Sequence, residues 1–148
     1  MPFRFALAPL LRLRESLERQ RALRLREASL AVTRAQDTLS RLEQFLADSA
    51  RSDHDALSAG RSAAELQFAS VVRDHLHVLQ QDTSTELHRL EIERRCAADE
   101  YRRAYREREV LETVRTRQRH AYQQEELQRG QRELDAAHLL RLWRNRLG

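Results

Sequence analysis

The sequence predicts an all-α fold, an elongated antiparallel two-stranded coiled-coil hairpin with a short helical tip segment, and three observations carry that prediction. Helix breakers are almost missing: the 148 residues include 3 Gly and 2 Pro, and both prolines, Pro2 and Pro9, stand at the start. Arg, Glu, Gln, Leu and Ala dominate, the side chains that lose least on entering a helix. Charged residues make up 34% and aromatics only 5%, too few large apolar groups for a compact globular core but enough for a narrow seam between long helices.

The first arm, about residues 4–50, carries the clearest periodicity. Leu25, Ala28, Val32, Ala35, Leu39, Leu42 and Leu46 alternate steps of three and four without a miss, the seam of a left-handed coiled coil. Leu10, Leu13 and Leu17 extend the stripe upstream, but reaching Leu25 takes two steps of four through Arg21, a stutter that locally unwinds a supercoil. The small side chains at 28 and 35 let a partner helix approach closely.

The ladder fades at Ser49. Ser52-Asp53-His54-Asp55 and Ser58-Ala59-Gly60-Arg61-Ser62 follow, the one concentration of turn formers and helix caps. Ser62 with Glu65 reads as a capping box opening a short helix over 62–80, with Leu66, Val72, Leu76 and Leu79 as its stripe. A weaker interruption is expected at Asp82-Thr83-Ser84-Thr85, which makes residues 51–85 the tip. The second arm, about 86–145, places Leu87, Leu90, Ala97, Tyr101, Ala104, Leu111, Val114, Gln118 and Tyr122 along its seam. At 1.5 Å per residue the arms are roughly 60 and 90 Å long, so the second should overhang or curl at one end. The whole chain, 1–148, reads as a single coiled-coil domain.

Several classes of function are disfavoured. No stretch approaches the roughly 18 apolar residues of a membrane span, and the opening MPFRFALAPLLRLRE lacks the cleavage pattern of a signal peptide. A lone Cys96 cannot build a disulfide framework and suits a reducing, cytoplasmic compartment; its alanine neighbours suggest a small seam residue. All 27 basic residues are Arg, so neither a P-loop lysine nor a Schiff-base amine exists. His54, His75, His77, His88, His120 and His138 form no ligand spacing for a metal. Glu125-Glu126 and Asp99-Glu100 are adjacent in sequence and diverge on a helix, unlike an acid/base couple. The reading is a non-enzyme with no cofactor.

Charge is directional. Both ends are arginine-rich, with Arg12, Arg14, Arg19, Arg21 and Arg24 in the first arm and Arg132, Arg141 and Arg144 in the second. Asp48, Asp53 and Asp55 lie near the tip. In an antiparallel hairpin the two arginine groups share one end. Arg and Glu are otherwise interleaved and the net charge is only +4, which argues against a nucleic-acid stripe. Membrane-surface contact through Phe3, Phe5, Leu7 and Leu10 is an open alternative, as is a generic scaffold. The apolar cluster Leu66, Phe68, Val71, Val72, Leu76, Val78 and Leu79 either packs on the first arm or faces a partner.

The opening MPFRFALAPLLRLRESLERQRA, with aromatics at 3 and 5, an LLRLRE core and a long heptad arm, resembles the FliJ family of flagellar type III export proteins. The length, the break near residue 60 and the Glu/Arg-rich second arm agree over essentially the whole chain; the stalk proteins of virulence type III secretion share the architecture. The resemblance implies a cytoplasmic protein held at the inner face of the cell membrane through the export apparatus. Its implied partners are the central pore of the hexameric export ATPase, the cytoplasmic domain of the export gate FlhA, and empty export chaperones. The ATPase contact would then involve the arginines at 12, 14, 19, 21, 24, 132, 141 and 144. The gate contact corresponds most nearly to Val72, Leu76, Leu79 and Thr83, with Val where the family usually has an aromatic and Phe68 one turn earlier.

Overall fold

The computed structural model describes residues 2–148. They form two helices, α1 (Ala8–Ser58) and α2 (Ala63–Leu147), of 51 and 85 residues, with no strand among the described residues. The chain divides into two compact units, Arg19–Arg102 and Met1–Glu18 with Arg103–Gly148.

The unit Arg19–Arg102 is a helical hairpin. Arg21 pairs with Glu100, whereas Asp53 pairs with Arg73, so partners advance along α1 as they retreat along α2, the signature of antiparallel packing. The predicted ladder faces the partner helix: Val32 is 1% exposed and Leu46 is buried, while Leu25, Ala28, Ala35, Leu39 and Leu42 are half-buried. From α2, half-buried Leu66, Ala69, Arg73, Leu76, Gln80, Thr83, Leu87 and Leu90 answer in the same alternating steps.

The chain reverses over four residues. Gly60 takes φ +79, a left-handed conformation that costs a residue with a Cβ about 1 kcal/mol or more. The Arg61 N–H donates to the Ala56 carbonyl at 3.2 Å and the Gly60 N–H to Leu57 at 3.4 Å, the paired bonds of a Schellman C-cap. Ser62 then caps α2, its Oγ accepting from the Glu65 N–H at 3.3 Å.

The extended tip expected over 51–85 is not present. α1 continues to Ser58 and α2 passes through Asp82-Thr83-Ser84-Thr85 as helix, so no separate helix ends at residue 80. Hydroxyl chemistry explains the second difference. Thr83 Oγ1 donates to the Leu79 carbonyl at 2.8 Å and Thr85 Oγ1 to Gln81 at 3.0 Å, so these residues bond back within the helix instead of capping a new one. The first difference is one of register. The seam runs on past Leu46 through half-buried Ser49 and Asp53 to buried Ala56, with Asp53 held by Arg73. Cys96, expected in the seam, is exposed; the half-buried position is its neighbour Ala97.

In the other unit, the start of α1 lies antiparallel to α2 from Arg103 onward. Arg14 meets Glu107, Glu18 meets Arg108, and nearer the N-terminus the Phe3 and Tyr122 rings stand 5.7 Å apart, tilted at 46°. Leu11 and Ala104 are buried. Leu10 and Leu13, expected on the stripe, are exposed. The buried line is instead Leu11, Arg14 and Glu18, which continues in steps of three and four through Arg21 to Leu25, so no stutter is needed. Arginine stems supply the apolar contact that a leucine would have made, while their heads reach carboxylates.

Candidate interaction surfaces

The arginines proposed for one basic end divide into two kinds. Arg14 is bonded to Glu107 and Arg21 to Glu100 at 2.7 Å, with Arg24 3.7 Å from the same carboxylate. Arg14 and Arg21 bridge the helices, while Arg24, mostly exposed, shares the Glu100 carboxylate, so two carboxylates offset part of the charge of three arginines. Arg12 and Arg19 are exposed on α1. Arg108, absent from the sequence-based set, is a further seam cation. Partial burial works against its charge, yet the adjacent Glu18 carboxylate, with Glu109, holds its pKa above the ordinary value, and its guanidinium lies 5.1 Å from the centre of the Tyr105 ring. Sequence periodicity built on apolar residues passes over such positions, although Glu18 and Arg108 sit in heptad register.

Arg132, Arg141 and Arg144 are all exposed. They are not beside Arg14: its partner Glu107 lies 25 residues before Arg132 on α2, roughly 37 Å along the axis. Within this unit the expected clustering of the two arginine groups does not occur, because α2 outruns α1. Beyond half-buried Glu126 and Gly130, every residue from 131 to 148 is exposed.

The four residues corresponding to a gate contact fall on two faces. Leu76 and Thr83 are half-buried in the seam, whereas Val72 and Leu79 are exposed. The solvent-facing line through the latter pair is Phe68, Val72, His75 and Leu79, in steps of four, three and four. Phe68 is 72% exposed, and Val71 and Val78, the residues just before Val72 and Leu79, are exposed as well. The apolar cluster after the turn is therefore both things the sequence allowed: Leu66 and Leu76 face α1, and the valines and Phe68 face outward.

At the other end of α2, Leu134, Leu139, Leu140, Leu142, Trp143 and Leu147 are exposed. Phe3 is half-buried against Tyr122, which engages one of the two N-terminal aromatics within the chain. Among the described residues no group of three or more His, Cys, Asp or Glu is placed to hold a metal ion, and no helix is long and apolar enough to cross a membrane.

A family model described as "Flagellar FliJ protein" matches residues 3–147. No curated protein and no solved structure matches the chain.

Proposed function

Because the chain belongs to the FliJ family, we propose that it acts as the stalk of the hexameric flagellar export ATPase, contacts the export gate and escorts export chaperones. Membership itself makes it a component of the flagellar export apparatus. The stalk reading is supported chiefly by one observation: the N-terminal residues to Glu18 and the C-terminal residues from Arg103 form one compact unit. In this unit the end that would enter a pore is the last turns of α2, with the N-terminus set back beside Tyr122. Exposed Arg132, Arg141 and Arg144 leave their charge available to an electronegative pore, where steering depends on ionic strength. The gate contact is assigned to the outward line Phe68, Val72, His75 and Leu79 in place of the set split by the seam. The protein is cytoplasmic in this reading and reaches the inner face of the membrane through the apparatus.

The test is ATP turnover by the cognate hexamer. Arg132→Glu with Arg141→Glu should reduce stimulation, and added salt should weaken the wild-type effect. Asp55→Arg, an exposed change near the turn, should leave turnover nearly unchanged. Arg14→Glu and Arg21→Glu are unsuitable probes because they remove helix-pairing contacts. Equal behaviour of the two kinds of variant, or no stimulation by the wild type, refutes the stalk. Separately, Phe68→Ala with Leu79→Ala should weaken gate binding without loss of helicity; unchanged binding refutes that assignment.

A further inference from the structure

The final turns of α2 carry a second amphipathic face that pairs with nothing among the described residues. With 3.6 residues per turn, Ala136, Leu139, Leu140, Trp143 and Leu147 fall within an arc of roughly 100°. Leu139, Leu140, Trp143 and Leu147 are between 61% and 78% exposed. Arg144 and Arg146 stand at the two edges of that arc, while His138, Arg141 and Asn145 occupy the far side. No acidic residue follows Asp135.

These features restrict what covers the face. A second copy aligned in parallel would set arginine edges against arginine edges, a repulsive arrangement, and an antiparallel one would find acidic partners only at Glu133 and Asp135, outside the 136–147 face. A helical partner in a coiled coil is generally matched through flanking charges of both signs, and here both flanks are cationic. An anionic bilayer surface satisfies every element together: leucines and the indole enter the headgroup boundary, and flexible arginine stems at both edges keep their charges among phosphates. We propose that residues 136–147 form an amphipathic docking helix for an anionic lipid surface, giving the protein a membrane contact of its own. The proposal does not rest on the ATPase or gate readings: the same helix end would serve a lipid surface only while the protein is not seated in the ATPase, and its test contains neither protein.

Trp143 is the only tryptophan in the chain, so tryptophan emission, excited apart from the three tyrosines, reports on this face alone. Full-length protein is titrated with vesicles of phosphatidylcholine and with vesicles containing added phosphatidylglycerol. The emission should shift to the blue with the anionic vesicles, stay nearly unmoved with the zwitterionic ones, and revert in high salt. Arg144→Gln with Arg146→Gln should weaken apparent binding roughly thirtyfold, given the usual contribution of each basic residue near an anionic surface. Leu140→Gln with Leu147→Gln should abolish the shift, with circular dichroism confirming that α1 and the paired part of α2 remain folded. Emission unmoved by anionic vesicles overturns the proposal and leaves the face to a protein partner. So does an equal shift with zwitterionic vesicles, an arginine variant that binds like the wild type, or co-sedimentation without any change at Trp143.

Discussion

Asp53 and Arg73 join α1 to α2 near the turn, and the cost of separating them follows from their surroundings. Their side chains are 14% and 34% exposed, between a surface pair, worth about 0–1 kcal/mol, and a buried pair, whose one-sided removal costs about 3–5 kcal/mol. Asp53→Ala leaves the Arg73 guanidinium half-buried at a seam position with no anion facing it, and should destabilise by about 2 kcal/mol. Arg73→Ala should cost a similar amount. Removing both eliminates the stranded charge, so the double variant should be more stable than the two losses added together, with a coupling of about 1–2 kcal/mol. Urea unfolding followed by far-ultraviolet circular dichroism measures all four corners of the cycle, with equal slopes confirming a common transition. Single variants within a few tenths of a kcal/mol of wild type, with additive losses, would refute the view that this pair fixes the helix register.

Three further outcomes are expected. Val32→Ala should cost about 2 kcal/mol in urea titration, since it removes two methyl groups from the most enclosed side chain; a loss below about 0.5 kcal/mol would mean that the seam closes over the gap. Gly60→Ala should lower stability by about 1 kcal/mol through its left-handed backbone alone, because a Cβ there meets nothing within 4 Å; thermal melting coincident with wild type would show that the turn adopts another conformation. The hydrogen bond from Arg89, aided by its charge, holds the Glu86 carboxyl below its usual 4.5 against an opposing effect of desolvation. Its stabilising contribution is therefore fully present above that pH and is lost as pH falls through the lower folded value. Wild type and Glu86→Gln should thus converge in stability on acidification, and a constant gap between them would exclude the contact as its source.

The fold was legible where apolar side chains carry the period. The ladder from Leu25 to Leu46 faces the partner helix, Gly60 makes the reversal, and Ser62 caps the second helix, each for the reason its chemistry suggests. Legibility ended where polar residues occupy seam positions. Arg14, Glu18, Arg21, Asp53 and Arg73 keep the heptad step but read as surface charges until a carboxylate or guanidinium is seen opposite. Thr83 and Thr85 read as breakers because a hydroxyl can cap a helix or bond back into it, and only the neighbouring turn decides which. The candidate contacts suffered in the same way. The residues at 72, 76, 79 and 83 look like one stripe until the seam claims Leu76 and Thr83, and Phe68 with His75 completes the outward line. The apolar face at the end of α2 was hidden among arginines that attracted attention as charges.

Only Leu11, Val32, Leu46, Ala56 and Ala104 are buried apolar residues among those described, and this bears on how such a chain can change over generations. A globular domain exposes much of its sequence to selection for packing, since each core side chain touches many others. A pair of helices meeting along one narrow line exposes little. Most substitutions that keep helix propensity and the alternating step should pass without a stability penalty, so drift is rapid in residue identity and slow in pattern. Selection beyond that pattern is then free to act on outward surfaces, where contacts with different partners can be refined independently while the helices beneath them stay the same.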